Sequence, residues 1–185
     1  MWEWILLLII LIVVILILIY VGYYNKIIRM ENRIDNSWAQ IDVQLRRRAD
    51  LIPNLMETVK GYMIHEREVL ENVTKARSAL MNAKTPQENI NADNMLTGAL
   101  KTLFAVAENY PNLKANENFL SLQDELTNTE NKIAYSRQHY NDSVLSYNNT
   151  IETFPGKWFA KRMRRKTREM LQIPEASREV PKVKF

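Results

Sequence analysis

From Trp4 to Val21 the chain carries only apolar and aromatic side chains, without a charge, glycine or proline. A run of about 18 residues is roughly 27 Å long as a helix, close to the thickness of a bilayer's hydrocarbon core. Trp2 and Trp4 stand at one end and Tyr20, Tyr23 and Tyr24 at the other. That is the aromatic belt expected where amphipathic rings meet the two headgroup layers. A cleaved signal peptide has a basic start, a shorter apolar stretch and a small-residue cleavage site. Here Glu3 is the only charge before the run, and Val21-Gly22-Tyr23-Tyr24 is a poor cleavage site. The pattern predicts an uncleaved membrane anchor over residues 1–24.

Beyond the anchor the apolar period changes to alternating fours and threes. Ile34, Trp38, Ile41, Leu45, Arg48, Ile52, Leu55, Val59, Tyr62, Glu66, Val69, Val73, Ala76 and Leu80 form one such series. Only Arg48 and Glu66 break it, so the series reads as a sustained helical seam. The simpler reading of those two is long stems reaching past the seam to solvent. The other is pairing with opposite charges on a neighbouring helix, which sets register more than stability. Pro53 lies inside the seam, where a proline removes one backbone hydrogen bond and predicts a kink or a break. The unbroken phase across it favours one long kinked helix.

Thr85-Pro86-Gln87-Glu88 is a capping box with proline at the first helical position. It opens a helix that buries Ile90, Leu96, Leu100, Leu103, Phe104 and Ala107 and stops at Tyr110-Pro111. A further helix is expected from near Asn116 to Phe154, with its seam at Leu122, Leu126, Thr129, Ile133, Arg137, Tyr140, Val144, Tyr147, Ile151 and Phe154. Within it, YNDSVLS from Tyr140 is followed by YNNTIET from Tyr147, a seven-residue repeat that presents one face twice. Pro155-Gly156 ends it. With 4 glycines and 6 prolines in 185 residues, the turns of a many-stranded sheet cannot be supplied.

Charge divides the chain further. From Lys157 onward basic residues exceed acidic ones by seven, more than the whole-chain net of +4. One neutral-to-acidic body therefore ends in one basic tail. As a helix, Trp158 to Leu171 gathers Phe159, Met163 and Met170 on one side, with Trp158 and Leu171 at its edges. Lys157, Lys161, Arg164, Arg165 and Arg168 lie on the other side, with Arg162 and Lys166 near the border. A basic amphipathic helix with an aromatic anchor suits the surface of an anionic bilayer. A solvated tail is the plainer alternative, and nucleic acid is the least favoured because the anchor confines the tail near lipid. The final EVPKVKF reads first as a frayed end, and second as a short strand able to dock on a partner.

Lys26, Arg29 and Arg33 follow the apolar run at once, and no Lys or Arg precedes it. Basic flanks stay in the cytoplasm, so the N-terminus is expected outside and the body inside the cell membrane. The lack of cysteine agrees with a reducing compartment without requiring one.

Three blocks carry a family resemblance: NRIDNSWAQIDVQLRRRADLIPNLMETVKGY (Asn32 to Tyr62), NLKANENFLSLQDEL (Asn112 to Leu126) and YNDSVLSYNNTIETFP (Tyr140 to Pro155). In order and spacing they resemble the bacterial LemA family along essentially the whole chain. The resemblance implies a membrane-anchored antiparallel helical bundle, usually of four helices, and makes a chain reversal near Pro53 as reasonable as a kink. The stretch KWFAKRMRRKTREML is more basic than the resemblance implies. No biochemical activity comes with it.

Candidate chemistry is sparse. His65 and His139 lack a second ligand at helical spacing, and no HExxH, GxSxG or phosphate-loop motif occurs. The charges at Arg48, Glu66, Glu130 and Arg137 invite comparison with di-metal bundles, but Tyr62 and Ser136 stand where those sites need glutamate. The Arg46–Arg48 run reads as a solvated face, or as a dock for an acidic partner or a second copy. The expectation is therefore an all-α chain: one transmembrane helix, an antiparallel bundle of three to four long helices over 25–155, and a tail over 156–185. No catalytic, cofactor or metal site is expected. The function expected is a scaffold that contacts the lipid bilayer and forms a homo-oligomer; the alternative is a signalling or envelope-stress adaptor that recruits a separate protein through the bundle surface.

Overall fold

A computed structural model describes residues 2–172; Met1 and residues 173–185, including EVPKVKF, lie outside the described residues. Among the described residues the chain is all-α, with no strand. Its helices are α1 (Trp2–Lys60), α2 (Arg67–Asn82), α3 (Pro86–Ala107), α4 (Pro111–Lys114), α5 (Glu117–Glu152) and α6 (Gly156–Arg162). Two compact units form: one from the chain up to Ser37 with His139–Met170, the other from Trp38–Gln138 with Leu171 and Gln172.

In the second unit the expected seam supplies the core. Ile41, Leu45, Ile52, Leu55 and Val59 of α1 are buried, as are Val73, Ala76 and Leu80 of α2 and Ile90, Leu96, Leu100 and Leu103 of α3. Phe119, Leu126 and Ile133 of α5 join them. Phe104 is only half-buried and meets Phe119 edge-on, with ring centroids 5.9 Å apart. The capping box is present: Thr85 Oγ1 accepts from the Glu88 N–H at 3.2 Å, and the Glu88 carboxylate accepts from the Thr85 N–H at 3.3 Å. Two pairings between α1 and this part of the chain run in opposite directions: Arg48 reaches Glu130 of α5, while Tyr62 just beyond α1 meets Asn116 just before α5. These segments are antiparallel.

The seam does not, however, run through one helix to Leu80. α1 continues through Pro53 and ends at Lys60, and the chain reverses through Gly61–Glu66 before α2. The hydrogen bond that Pro53 removes is replaced from outside the helix. Proline at this position deprives the Ala49 carbonyl of its intrahelical donor. Ala49 is fully buried, and Arg77 of α2 donates its Nε–H to that carbonyl at 2.8 Å. A buried carbonyl left without a donor costs about 1–3 kcal/mol. Arg77→Ala is accordingly expected to destabilise the protein by about that amount in chemical denaturation. In a Pro53→Ala background, which restores the N–H, the same change is expected to cost much less; equal costs in both backgrounds contradict the assignment.

The first unit pairs the early part of α1 with the end of α5. Ile27, Ile34, Val144, Tyr147 and Ile151 are buried in it. Glu31 meets Tyr147 and Ser37 lies beside Ser143, so these two segments are also antiparallel. Phe154, expected on the α5 seam, lies beyond the helix and is 89% exposed. The turn into α6 requires glycine, since a Cβ on Gly156 would fall 2.0 Å from the Thr150 carbonyl oxygen.

The expected tail helix is shorter than its pattern. α6 stops at Arg162, and from Arg164 the chain is irregular, so Trp158–Leu171 is not one amphipathic helix. Two side chains of α5 hold the backbone away from helical geometry. Tyr147 Oη lies 3.1 Å from the Lys166 carbonyl, which shares its single proton with the Glu31 carboxylate. Asn148 donates to the Arg168 carbonyl and accepts from the Arg168 N–H, each at 2.9 Å.

Candidate functional site

The apolar window of α1 is 0% buried, so the rival reading of a core helix does not apply; by length and composition the helix can cross a membrane. The end of this window is where the sequence-predicted residues meet. Phe159 of α6 stacks on Tyr23, with centroids 4.8 Å apart and planes 5° from parallel. It also lies against Tyr20 at 5.9 Å, and Tyr20 in turn stacks on Tyr24 at 6.3 Å. Trp158 meets Phe159 edge-on at 4.9 Å. The anchor's far aromatic belt and the tail's aromatic anchor thus form one collar.

Within the collar the rings divide by exposure. Phe159 is buried, while Trp158 is 61% exposed and Phe154, just before the turn, 89%. A buried ring holds α6 on α1, and two exposed rings face outward. Lys157, Lys161 and Arg162 are exposed on the same short helix. Lys26 lies over the Tyr23 ring at 5.9 Å, within range of a weak cation–π attraction. Arg29 donates Nε–H to the Asn25 carbonyl at 3.2 Å, and Arg33 is exposed. Trp2 and Trp4 stand exposed at the other end of the window. Large apolar rings beside cations suit a headgroup layer, apolar on one side and anionic on the other.

Next to the collar, Glu31 accepts from Tyr147 Oη at 3.1 Å and pairs with Arg165 at 3.3 Å. Burial, and then the neighbouring Glu31 carboxylate, push the Tyr147 phenol from 10.0 up to about 12. Between those two values the folded chain keeps a proton that the unfolded chain has lost, so stability falls as pH rises through this window. Unfolding followed against pH is expected to show a steeper alkaline decline for the natural chain than for Tyr147→Phe. Matching slopes would sink the assignment.

The second unit contains a buried polar network that answers the question about Arg48. It is 1% exposed and does not reach solvent. Its guanidinium donates to Asp93 at 2.7 Å, Thr97 at 3.0 Å and Glu130 at 3.2 Å. Burial raises the Asp93 carboxyl above its usual range, outweighing the attraction of Arg48. The neighbouring arginines behave differently. Arg46 pairs with Asp42 and Arg47 with Glu125, both at accessible positions. Among the described residues Glu66 pairs with no cation; it accepts from Tyr110 Oη at 3.0 Å. Arg137 donates to the Gln172 carbonyl at 2.6 Å, and burial lowers its pKa.

An apolar groove of about 730 Å³ opens where α1 turns into α2. Met56, Met63, Ile64 and Leu70 line it, with Lys60, Arg67 and Lys75 at its margins. Ile64 is 74% exposed, and Arg67 pairs with Glu71 at 2.7 Å. Among the described residues no group of three or more His, Asp or Glu side chains is placed to hold a metal ion. No sequence pattern points to the Glu31–Tyr147–Arg165 cluster or to Asn148 as a backbone clamp. Tyr147 stood out only as a packing residue.

Comparison with known proteins adds ancestry. Residues 37–185 match the model of the LemA family. Protein LemA of Metamycoplasma hominis is 32% identical over 140 residues, covering 74% of this chain and 63% of the relative. Magnetosome protein MamQ of Magnetospirillum gryphiswaldense is 20% identical over 163 residues, covering 74% and 60%. Magnetosome protein MamQ 1 of Paramagnetospirillum magneticum is 21% identical with the same coverage. The chain spans about three-fifths of the length of these curated relatives.

Proposed function

The chain belongs to the LemA family, and from that premise we propose that it is a non-catalytic helical scaffold anchored in the cell membrane. Its aromatic collar contacts lipid, and its copies associate in the membrane plane. The observation that carries this reading is the stack of Phe159 on Tyr23 at 4.8 Å, beside the exposed rings of Trp158 and Phe154. That arrangement joins the C-terminal side of the bundle to the anchor and directs apolar and basic groups outward together. Lys26, Arg29 and Arg33 favour the cytoplasm for the body of the chain. Since the seam of the second unit is filled from within one chain, self-association falls to the exposed anchor face.

A second reading is supported by the groove at Met56, Met63, Ile64 and Leu70. Lys60 and Lys75 leave its margins net basic once Arg67 is paired with Glu71. Its occupant would be an amphipathic helix of a separate protein, apolar on one face and acidic at its edges. The molar mass of the full-length protein in mild detergent, measured by light scattering during gel filtration, separates the two. A discrete assembly of many chains supports the scaffold. A monomer at all concentrations removes self-association and turns the search to an acidic partner helix.

A further inference from the structure

Beside the collar in the first unit lies a cavity of about 310 Å³, lined by Glu31, Tyr147 and residues 164–168. That volume is at the small end of ligand sites and suits a headgroup or a phosphate ester rather than a large cofactor. Four of the lining side chains are cations (Arg164, Arg165, Lys166 and Arg168) and one is a carboxylate, Glu31. Among the described residues only Arg165 of the four cations pairs with a carboxylate. Three positive charges therefore remain around the space.

The loop that carries them is held in place. Tyr147 ties down the Lys166 carbonyl, and Asn148 holds both backbone groups of Arg168. Arg164 sits at φ 53°, in the left-handed region that side chains other than glycine seldom adopt. Such a residue persists where its surroundings over-determine it, and here the loop is pinned by α5 a few residues later. A continuing helix would leave Lys166 at the border of the face that carries Arg164, Arg165 and Arg168; the pinned loop brings all four to one cavity.

We propose that this cavity binds a phosphate group, with guanidinium forks and an ammonium meeting its oxygens. Arginine forks match phosphate geometry, and several cations together favour a multiply charged oxyanion over a lone carboxylate. The position relative to the anchor indicates two sources for the phosphate. Glu31 lies ten residues beyond Val21, or roughly 15 Å along α1. A phosphorylated headgroup projecting from the bilayer reaches that depth when long cationic side chains extend toward it; a soluble phosphate ester reaches it from the aqueous side. The inference deepens the lipid-contacting reading and rests on the same unit.

The test uses full-length protein in nanodiscs of phosphatidylcholine alone, titrated with inorganic phosphate by calorimetry. Saturable binding is expected, weakened about tenfold or more in Arg164→Gln/Lys166→Gln, whose two exposed side chains each contribute at a charged surface. Glu31→Gln, which keeps an acceptor for Tyr147 and removes the one negative charge, is expected to tighten binding. Repeating the titration in discs that also contain phosphatidic acid identifies the source. Loss of phosphate binding there shows a headgroup occupying the cavity; unchanged binding shows a soluble phosphate, and either supports the site. No saturable binding in phosphatidylcholine discs, or equal affinity in the double variant, overturns it. Insertion of the protein into the discs is read separately, so failure of the site stays distinct from failure of the membrane reading.

Discussion

Arg48→Met is expected to destabilise the protein by about 3–5 kcal/mol, since it leaves a buried charge without its partner. Asp93 is the charge in question: it is 3% exposed and, among the described residues, has its charged hydrogen bond from Arg48 at 2.7 Å. Glu130, with its side chain 44% exposed, can turn to water instead. The companion variant Arg48→Met/Asp93→Leu removes both charges and fills the space with apolar atoms. It is expected to recover most of the loss, because exchanging a whole buried pair for well-packed apolar groups is often neutral or better. pH gives an independent check. A carboxyl raised in the folded state contributes stability below its unfolded pKa, and loses it as pH rises through the folded value. Burial already raises Asp93 with Arg48 present, so Arg48→Met is expected to be relatively more stable in acid than at neutral pH. Denaturation of the three proteins in detergent, followed by circular dichroism, measures all of this. A single variant within about 1 kcal/mol of the natural chain would mean the network is dispensable.

The second large effect is expected at Phe159. Its ring is buried against Tyr20 and Tyr23 of α1. Phe159→Ala removes a buried aromatic worth about 1.5–3 kcal/mol, together with two ring pairs of about 0.5–1.5 kcal/mol each. Most of that loss is local. α6 and the basic loop after it should detach while the second unit keeps its stability. Hydrogen exchange of the membrane-embedded protein is expected to rise sharply over residues 156–168 and little elsewhere. Trp158→Ala, at an exposed ring, should leave exchange nearly unchanged. Equal protection in Phe159→Ala and the natural chain would contradict the collar.

These two sites differ in how far the sequence revealed them. Tyr20, Tyr23 and Tyr24 were visible because interfacial aromatic residues have a recognisable position next to an apolar run. Trp158 and Phe159 were visible because they stand among the tail's cations, whereas Phe154 was expected inside the α5 seam. What remained hidden was that Tyr23 and Phe159, 136 residues apart, meet each other. The Arg48 network shows the same limit: its place on the seam marked it as unusual, but Asp93 and Glu130 stand on other helices with no local sign of pairing. α3 and α5 were legible almost to the residue, since a capping box, a proline and a heptad repeat are short-range signals.

The failures also have physical causes. The seam's phase carried on through Tyr62 and Glu66, so period alone could not detect the reversal at Gly61–Glu66. Pro53 left a kink and a reversal both open, and the helix continues through it with Arg77 meeting the Ala49 carbonyl, a contact between helices. The tail was helix-compatible residue by residue. Its helix ends at Arg162 because Tyr147 and Asn148 bind the backbone that would have continued it. Tertiary hydrogen bonds of this kind leave no periodic trace.

The proposed function puts the collar in the headgroup layer of a bilayer. Its most direct test is quenching of Trp158 fluorescence by lipids brominated at successive depths, with Trp2, Trp4 and Trp38 replaced by phenylalanine. Strong quenching that is greatest for bromines near the headgroup is the predicted result. Fluorescence indifferent to the bromines at every depth would show Trp158 in water, and would contradict the account.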